Sequence, residues 1–410
     1  MDSTTASFIK RSDSVSPSAS PSFQARLFLG LLGRMREGRL NIIFPNGACA
    51  TVGDADAVPE QIIIRDNAFF GRVLAGGSVG LGESYVEGLW ETPNLAAVLR
   101  ILGQNQEYLG RAPRGFSLIG RWVNRFIHLG RRNTLKNSRS NIQQHYDLSN
   151  EFYQCFLDPS MTYSSALFSD YYETLENAQM VKIDRMLDLA GVKAGDHVLE
   201  IGSGWGALAI RAAQRGAKVK TITLSDEQYA LARERIQEAN LCDHIEIVLQ
   251  DYRDLEGQYD AVLSCEMIEA VGQSFLPSYF KTIRNSLKPG SRAVIQAITI
   301  PDERYAAYCR SCDWIQKHIF PGGHLPSPGA IHQCVDQAGG MAVESMQGFG
   351  KDYAETLQRW RRNFNTSRQR VETLGFDDPF CRKWNYYLAY CEAGFDAGLI
   401  DVQHVVLQRH

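Results

Sequence analysis

Residues 197–209 constrain the fold more than any other segment of this chain, because they predict a buried strand, a glycine turn and the start of a helix. The apolar residues at the front suit a strand that is covered on both faces, and they are Val198, Leu199 and Ile201. The turn has glycines that let the backbone bend tightly and let a ligand come close, namely Gly202, Gly204 and Gly206. Glu200 stands at the carboxyl end of the strand, where open α/β sheets bind their ligands. The segment therefore predicts a pocket for a nucleotide-like ligand.

The spacing of these glycines favours S-adenosylmethionine over a dinucleotide. In the dinucleotide fingerprint the third glycine follows the second after three positions. Here Gly206 follows Gly204 after two positions, with Trp205 between them. A glycine turn alone is a weak signal, so the ligand has to be identified from other motifs of the chain.

From about residue 141 the hydrophobic pattern alternates between strand-like and helix-like segments. Candidate strands are 198–201, 219–224, 245–249, 261–264, 293–298 and a later one near 342–346. Helical patterns fit between them, for example over 207–214 and 226–239. Such alternation predicts a doubly wound, largely parallel α/β sheet.

The N-terminal part of the chain has a different character. Residues 1–22 are rich in Ser, Thr and Pro and lack the apolar core of a secretory signal, which predicts a disordered tail. Residues 23–110 predict a small α+β accessory domain, for which lipid association is one role. Its predicted elements are strands at 40–44 and 61–65, glycine breaks at 76–77 and 80–82, and a helix within 90–99.

The segment 111–140 is strongly basic and contains no Asp or Glu. Its apolar residues, among them Trp122 and Phe126, share one face of a predicted helix, while Arg121, Arg125 and Arg132 fall on another. A helix of this kind suits an anionic membrane surface. The equally weighted alternative is a linker helix whose apolar face packs in the core. Nucleic acid is not expected as a partner, because no recognised binding motif accompanies the charge.

Composition limits the class of protein without identifying it. The net charge of −3, averaged over the chain, gives no information about partners. No apolar run is long enough to span a bilayer. The nine cysteines are scattered, which predicts a reduced, cytoplasmic protein. The basic segment predicts that this protein is peripheral on the membrane. The single C-x-x-C pair, Cys309 and Cys312, is weak evidence for zinc, and no metal site is expected. A homodimer is compatible with these features.

Six motifs in order make the chain resemble the cyclopropane-fatty-acyl-phospholipid synthases, which use S-adenosylmethionine. The motifs are 145–153, 161–166, 223–228, 250–254, 266–272 and 320–323. The resemblance covers about 141 to the C-terminus closely and the N-terminal domain more loosely. It implies a class I S-adenosylmethionine-dependent methyltransferase domain over 141–410, with a Rossmann-like sheet.

The resemblance also implies a reaction on an unsaturated phospholipid acyl chain. A cis double bond attacks the sulfonium methyl group, a carbocation forms, a methyl proton leaves and a cyclopropane ring closes. Water has to be excluded, and aromatic faces suit a passing cation. The available aromatic residues are Tyr163, Trp314, Tyr353, Trp384, Tyr386, Tyr387 and Tyr390. For the last four, packing in a helical core is the main interpretation.

Other outcomes stay open. If the cation loses a different proton, the product is a methylene-branched chain. Some plant amine N-methyltransferases share the superfamily, so a small-molecule N-methyltransferase is a second alternative, against which the basic segment argues. A lipid-binding protein without catalysis is a third, and it is disfavoured by the intact residues Glu200, Gly202, Gly204 and Glu269.

In the family a bound bicarbonate ion takes the proton. The residues that match its holders are Ser165, Glu269, Gln296, Ile298 and Tyr353. Three positions depart from the pattern of many members, with Ser165 in place of cysteine and Gln296 and Ala270 in place of histidine. Glutamine can bind an anion but cannot accept its proton. Glu266 is a competing carboxylate that does not match the family position.

The resemblance assigns the cofactor contacts as well. Glu200 and the turn with Gly202 and Gly204 flank the homocysteine portion. Tyr163 and Ser164 close over the methionine carboxylate, in a pocket capped by the segment that begins at His145 and Tyr146. The resemblance places Thr223 and Gln228 near the ribose. Asp251 and Tyr252 flank the adenine, one by hydrogen bonding and one by packing.

Overall fold

The computed structural model describes residues 22–109 and 148–410, and each range contains one β-sheet. The predicted tail, Ser22 apart, and the whole basic segment 111–140 lie outside the described residues, as do His145 and Tyr146. No helix in the described ranges is long and apolar enough to cross a membrane. All nine cysteines are free, and within the described residues no group of His, Cys, Asp and Glu could hold a metal ion.

The N-terminal sheet has four strands in the order β2-β1-β3-β4. β1 pairs antiparallel with β2 and parallel with β3, and β3 pairs antiparallel with β4. The elements are α1 (Phe23–Leu32), β1 (Arg39–Ile43), β2 (Cys49–Gly53), β3 (Pro59–Ile64), α2 (Ala68–Val86), β4 (Trp90–Glu91), α3 (Leu95–Gln104) and α4 (Gln106–Leu109). The α+β character and the two strands predicted here are confirmed.

Two local predictions in this part were wrong. The glycines at 76–82 do not separate elements but lie inside α2, which bends at Gly77 (φ 57°, ψ −132°). Gly82 has to be small, because a Cβ there would collide with Trp314 and Tyr386. Trp90 belongs to a strand, and the following helix begins only at Leu95, where the side chain of Asn94 accepts a hydrogen bond from a backbone N–H. Tertiary packing thus overrides the local glycine signal.

The N-terminal sheet and helices share an apolar core with the C-terminal part of the chain. α2 and α3 pack against the long helix α15 (Asp378–Asp396). Arg382 of α15 donates to the carbonyl of Tyr85 at 2.7 Å, and Lys317 pairs with Glu83 at 2.6 Å. These contacts fix the small sheet directly beside the helices that wall the candidate site.

The second sheet has seven strands in the order β10-β11-β9-β8-β5-β6-β7. Five neighbouring strands are parallel, and they are β9, β8, β5, β6 and β7. β11 is antiparallel to both of its neighbours, β10 and β9. The strands are β5 (His197–Ile201), β6 (Lys218–Thr223), β7 (Ile245–Leu249), β8 (Tyr259–Cys265), β9 (Leu287–Thr299), β10 (Met341–Gly348) and β11 (Asp401–Arg409). The doubly wound, largely parallel sheet is confirmed, and β11 is the strand that was not predicted.

Helices cover the sheet and end where the sequence supplies caps. Ser225 caps α8 by accepting a hydrogen bond from the N–H of Gln228, and Gly191 ends α6 in the left-handed conformation. The helices are α5 (Asn150–Tyr153), α6 (Leu175–Ala190), α7 (Ala207–Gln214), α8 (Asp226–Glu238), α9 (Leu276–Ser286), α10 (Asp302–Tyr308), α11 (Trp314–His318), α12 (Pro328–Ala338), α13 (Gly350–Thr366), α14 (Arg368–Thr373) and α15. The carboxyl ends of β5, β6, β8 and β9 therefore meet at one edge of the sheet.

Candidate active site

The glycine turn follows β5 at this edge, as its sequence predicted. Gly202, Gly204 and Gly206 have φ values of 96°, 48° and 89°, a region that residues with a Cβ rarely adopt. A Cβ placed on Gly204 would meet no protein atom within 4 Å, so the space in front of the turn is open. The turn therefore offers room for a ligand at the carboxyl end of the strand.

Glu200 lies buried beneath the turn, with only 2% of its surface exposed. Its Oε2 accepts a hydrogen bond from Thr221 Oγ1 at 2.5 Å. Burial raises the pKa of the Glu200 carboxyl to about 8, against the opposing effects of the Thr221 bond and the nearby charge of Lys182. A buried carboxyl at this position suits the ammonium group of S-adenosylmethionine, because that positive charge would stabilise its ionised form.

Thr223 and Gln228 lie next to each other at the end of β6. Thr223 Oγ1 donates to Gln228 Oε1 at 3.0 Å and accepts from the N–H of Ser225 at 3.1 Å. Both side chains are buried, so the pair is fixed by its own bonds before any ligand arrives. This placement brings together the two residues assigned to the ribose.

Asp251 and Tyr252 follow β7, the next strand along the edge. Tyr252 packs edge-to-face on Tyr279, with ring centroids 5.5 Å apart. The Asp251 carboxylate accepts two hydrogen bonds from Arg253, at 2.8 and 2.6 Å, a pairing that was not predicted from the sequence. Burial raises the pKa of the Asp251 carboxyl, but the hydrogen bonds from Arg253 lower it by more, so the net effect is a lowered pKa. The carboxylate of Asp251 therefore stays charged at the edge of the pocket, where it is already paired with Arg253.

The segment with Tyr163 and Ser164 crosses the same edge of the sheet. The hydroxyl of Tyr163 lies 2.8 Å from that of Tyr387 in α15. Ser164 Oγ accepts from Lys182 Nζ at 2.7 Å, and Lys182 is a lysine of α6 with only 1% of its surface exposed. Lys182 was missed from the sequence, although a lysine on the apolar face of a helix is the signal that would have found it.

Glu266 is the centre of the arrangement at the end of β8. Its Oε1 accepts from the backbone N–H of Ser165 at 2.8 Å and from Nε2 of Gln296 at 2.7 Å. Its Oε2 accepts from the hydroxyl of Tyr353 at 2.6 Å. Three of the five residues assigned to bicarbonate thus converge, but in this chain they hold a carboxylate that belongs to the protein.

The other two assigned residues, Glu269 and Ile298, contact each other. The N–H of Ile298 donates to Glu269 Oε1 at 2.6 Å, while Oε2 is buried and has no hydrogen-bond partner among the described residues. Burial and the negative charge of Glu266 raise the pKa of Glu269 to about 8. Glu269 is therefore mostly protonated at neutral pH, and its two carboxyl oxygens have unequal surroundings.

His404 of β11 supports Gln296 from the neighbouring strand. His404 Nε2 lies 2.9 Å from Gln296 Oε1, and both residues are fully buried. Burial lowers the pKa of His404 to about 3, so the imidazole is neutral. His404 was missed because its strand was not predicted, yet it supplies an imidazole one side chain away from the position where many family members carry histidine.

Aromatic side chains form a wall beside these carboxyl groups. Tyr163 lies 5.3 Å from Trp360 and Tyr353 lies 4.4 Å from Phe395, between ring centroids. The residues of α15 assigned to a packed core lie in or against the apolar core, and they are Trp384, Tyr386, Tyr387 and Tyr390. The site therefore combines buried carboxyl groups with an aromatic lining.

Comparison with known proteins places the chain in one family. The family model for mycolic acid cyclopropane synthetase matches residues 133–405. The chain is similar to tuberculostearic acid methyltransferase UfaA1 of Mycobacterium tuberculosis, with 43% identity over 377 residues, 90% of this chain and 88% of that protein. It is similar to the cyclopropane-fatty-acyl-phospholipid synthase of Escherichia coli, with 34% identity over 360 residues, 86% of this chain and 89% of that protein.

A solved structure agrees with these relatives. The crystal structure of mycolic acid cyclopropane synthase CmaA1, complexed with SAH and CTAB, is 28% identical and matches with a TM-score of 0.62. The match covers 66% of this chain and 98% of that one. SAH is the product of methyl transfer from S-adenosylmethionine, which is the co-substrate that the open glycine turn and buried Glu200 fit. The chain belongs to the mycolic acid cyclopropane synthetase family and is an S-adenosylmethionine-dependent methyltransferase.

Proposed function

We propose that this methyltransferase adds the methyl carbon of S-adenosylmethionine to the cis double bond of an unsaturated phospholipid acyl chain and closes a cyclopropane ring. The observation that carries the proposal is the pair of acidic residues, Glu266 and Glu269, beside an aromatic wall at the carboxyl edge of the sheet. A reaction that releases a proton from a carbon cation needs such a dry site with a proton acceptor.

The proposed reaction consists of three bond changes. The π electrons of the alkene form a C–C bond to the sulfonium methyl carbon, and the S–C bond breaks to leave S-adenosylhomocysteine. The positive charge moves to the second alkene carbon. One C–H bond of the new methyl group then breaks, its electron pair closes the ring, and the proton goes to an acceptor in the site.

The described residues suit each of these changes. Because an alkene is a weak nucleophile, the donor and acceptor carbons have to be held in contact and in line, which buried walls achieve better than mobile loops. The hydroxyl of Tyr353 donates to Glu266, and its ring packs against Trp360, which in turn packs against Tyr163. Aromatic faces and edges are therefore grouped beside Glu266. Such faces attract a passing cation, and their burial keeps out water that would trap it.

Bicarbonate is one proposed proton acceptor, with Ser165, Glu269, Gln296, Ile298 and Tyr353 as its holders. In this chain three of these residues already donate to the Glu266 carboxylate. A bicarbonate ion would have to displace that carboxylate or bind beside it as a second anion. The identity of the acceptor is therefore a question separate from the reaction class.

A methylene-branched chain is the second candidate product. It is favoured by the 43% identity with tuberculostearic acid methyltransferase UfaA1, against 34% with the Escherichia coli cyclopropane synthase. In that reaction a hydride moves from the methylated carbon to the neighbouring cationic carbon. Loss of a methyl proton then leaves an exocyclic double bond. The two products have equal mass and differ only in bonding.

The proposed substrate lies in a membrane, and the basic segment 111–140 is the proposed contact with its anionic surface. The segment combines arginines with Trp122 and Phe126, a composition that binds anionic lipid through charge and apolar burial together. A soluble amine would need no such contact. This part of the proposal makes the protein peripheral on the membrane.

The test is an assay on vesicles of a cis-monounsaturated phospholipid with S-adenosylmethionine that carries a trideuterated methyl group. Vesicles of the saturated lipid of equal chain length are the matched control. Mass spectrometry of the released fatty acids should show one added carbon with two deuterium atoms, because one leaves as the proton. Proton NMR of the product from a parallel assay with unlabelled S-adenosylmethionine should then distinguish ring hydrogens from those of an exocyclic methylene. Cofactor binding without any lipid product would contradict the proposal and favour a small amine as substrate.

A further inference from the structure

We propose that the Glu266 carboxylate is itself the group that accepts the methyl proton, so that turnover in this enzyme needs no bicarbonate. The inference rests on the proposed function and assigns a catalytic residue to it. It follows from what the donors around Glu266 bind, from the backbone that presents it, and from the contrast with Glu269.

Among the described residues, the groups that bond the carboxylate of Glu266 are all hydrogen-bond donors. The N–H of Ser165 and the hydroxyl of Tyr353 donate to different oxygens of the carboxylate. Gln296 could present either end of its amide, but its Oε1 accepts from His404, which leaves Nε2 to face Glu266. An acceptor-only carboxylate satisfies all three donors at once, and these bonds favour the ionised form that a base requires.

The backbone at Glu266 is held in an unusual conformation. Its φ is 50°, and Met161 and Asn240 are the other non-glycine residues with positive φ within the described ranges. A left-handed conformation costs about 1 kcal/mol or more for a residue with a Cβ. The N–H of Glu266 donates to the carbonyl of Gln296 at 2.9 Å, which secures the bend. Strain of this kind is typical of sites where a side chain has to point in one direction.

Glu269 has the opposite surroundings and suits a different role. One oxygen accepts from Ile298, and the other is buried with no hydrogen-bond partner among the described residues. Because like charges close together cannot both ionise easily, the pair holds one proton. The ionised member is Glu266, whose carboxylate accepts three hydrogen bonds where that of Glu269 accepts one. Burial raises the pKa of both carboxyls above the ordinary value, which makes Glu266 a stronger base than an exposed glutamate.

The proton balance of the step needs no other reactant. The C–H bond of the transferred methyl group breaks, its electron pair forms the last C–C or C=C bond, and the proton goes to a carboxylate oxygen of Glu266. After the product leaves, water removes the proton and restores the charge. The cation and Glu266 neutralise each other in this step, so no net charge stays buried.

The first test compares Glu266→Gln with the matched surface variant Glu303→Gln, which alters an exposed glutamate of α10. Glutamine keeps the shape of the side chain but cannot accept the proton. We expect Glu266→Gln to lose turnover by 10²-fold or more, within the range that general bases contribute, and to bind S-adenosylmethionine as the wild type does. Near-normal turnover of a folded Glu266→Gln protein would overturn the assignment.

The second test varies the anion. Wild-type turnover should be equal in carbon-dioxide-free buffer and in buffer with bicarbonate, whereas Glu266→Ala should be inactive in the first and partly restored by bicarbonate or formate. Wild-type turnover that depends on added bicarbonate would contradict the proposal.

Binding of 13C-bicarbonate gives a readout that does not depend on activity. We expect no line broadening of its NMR signal with the wild type and clear broadening with Glu266→Ala, in which the three donors are free. A wild-type protein that excludes bicarbonate but methylates no lipid would refute the proposed function and leave the anion replacement standing. Broadening with the wild type would refute the replacement whatever the lipid assay shows.

Discussion

His404 Nε2 lies 2.9 Å from Oε1 of Gln296, and the two residues face each other across the antiparallel pair of β11 and β9. The imidazole is neutral and has one N–H, which this geometry places on Nε2. The amide of Gln296 is therefore turned so that its nitrogen faces Glu266. His404 is a positioning residue, because it acts on the carboxylate only through Gln296.

Replacement of His404 should weaken catalysis without weakening cofactor binding. In His404→Ala the Gln296 amide can rotate, and Glu266 loses a hydrogen bond that favours its charged form. We expect kcat to fall about tenfold, in line with the roughly 1.5 kcal/mol that a hydrogen bond to a charged group contributes. The affinity for S-adenosylmethionine should stay unchanged by calorimetry. His404→Gln should recover most of kcat, since its amide N–H can also donate; equal kcat values in both variants would exclude the positioning role.

The hydroxyl of Tyr353 should set the pH dependence of turnover. In the proposed mechanism, activity requires ionised Glu266, whose pKa is raised above the ordinary value of 4.5 mainly by burial. Turnover should therefore rise with pH through that raised value. Tyr353→Phe removes a hydrogen-bond donor that stabilises the ionised carboxylate of Glu266. We expect the rise in turnover to shift to higher pH by about one unit or more. Tyr172→Phe is the matched control, because Tyr172 is 98% exposed. If the rise in turnover keeps its position on the pH axis, or shifts to lower pH, Glu266 is not the titrating base.

Glu200 should make cofactor binding pH-dependent. Its pKa is raised to about 8 by burial, so the carboxyl of the free protein is protonated at neutral pH. The positive charge of S-adenosylmethionine favours the ionised form, so binding should release up to one proton. The affinity should therefore increase with pH up to about 8, by at most tenfold per pH unit. Calorimetry in two buffers of different ionisation enthalpy measures this proton release. Glu200→Gln should bind with no pH dependence in the same range, and a persistent dependence would assign the proton to another group.

Local sequence pattern predicted the parallel strands well and missed the antiparallel strand β11. β5, β8 and residues 293–299 of β9 lie in the parallel part of the sheet and are buried on both faces, so their apolar runs stand out from the sequence alone. β11 carries Gln403 and His404 among its apolar residues and pairs with strands far away in the sequence, so its pattern is ambiguous. The residues assigned by resemblance do come together, but the group that joins three of them is Glu266. Its direction depends on a left-handed φ, which no side-chain periodicity reveals.

Gly204 should be needed for cofactor binding more than for folding. A Cβ at this position meets no protein atom, so the cost of Gly204→Ala to folding comes from its φ of 48° and amounts to about 1 kcal/mol. The methyl group would project into the open space at the turn and weaken binding of S-adenosylmethionine at least tenfold. Gly47→Ala is the matched control, because Gly47 also has positive φ (79°) and open space but lies in the β1–β2 turn. Thermal unfolding should show similar losses of stability for both variants. Calorimetry should show weakened binding of S-adenosylmethionine for Gly204→Ala only. Equal cofactor affinity would place the ligand away from Gly204.

The basic segment 111–140 lies outside the described residues, and its proposed membrane role can be tested directly with vesicles. The triple variant Arg121→Gln, Arg125→Gln and Arg132→Gln removes three positive charges from one face of the predicted helix. Each charge near an anionic surface contributes about 1 kcal/mol, so binding to anionic vesicles should weaken by roughly two orders of magnitude. The matched control removes the same charge from exposed positions of the large sheet domain, by Lys218→Gln, Arg233→Gln and Lys281→Gln. At low salt, the variant of the basic segment should sediment with vesicles less than the control variant does. At high salt the two should sediment alike, because salt screens the attraction. If both triple variants sediment like the wild type, the segment is a linker and does not contribute to vesicle binding.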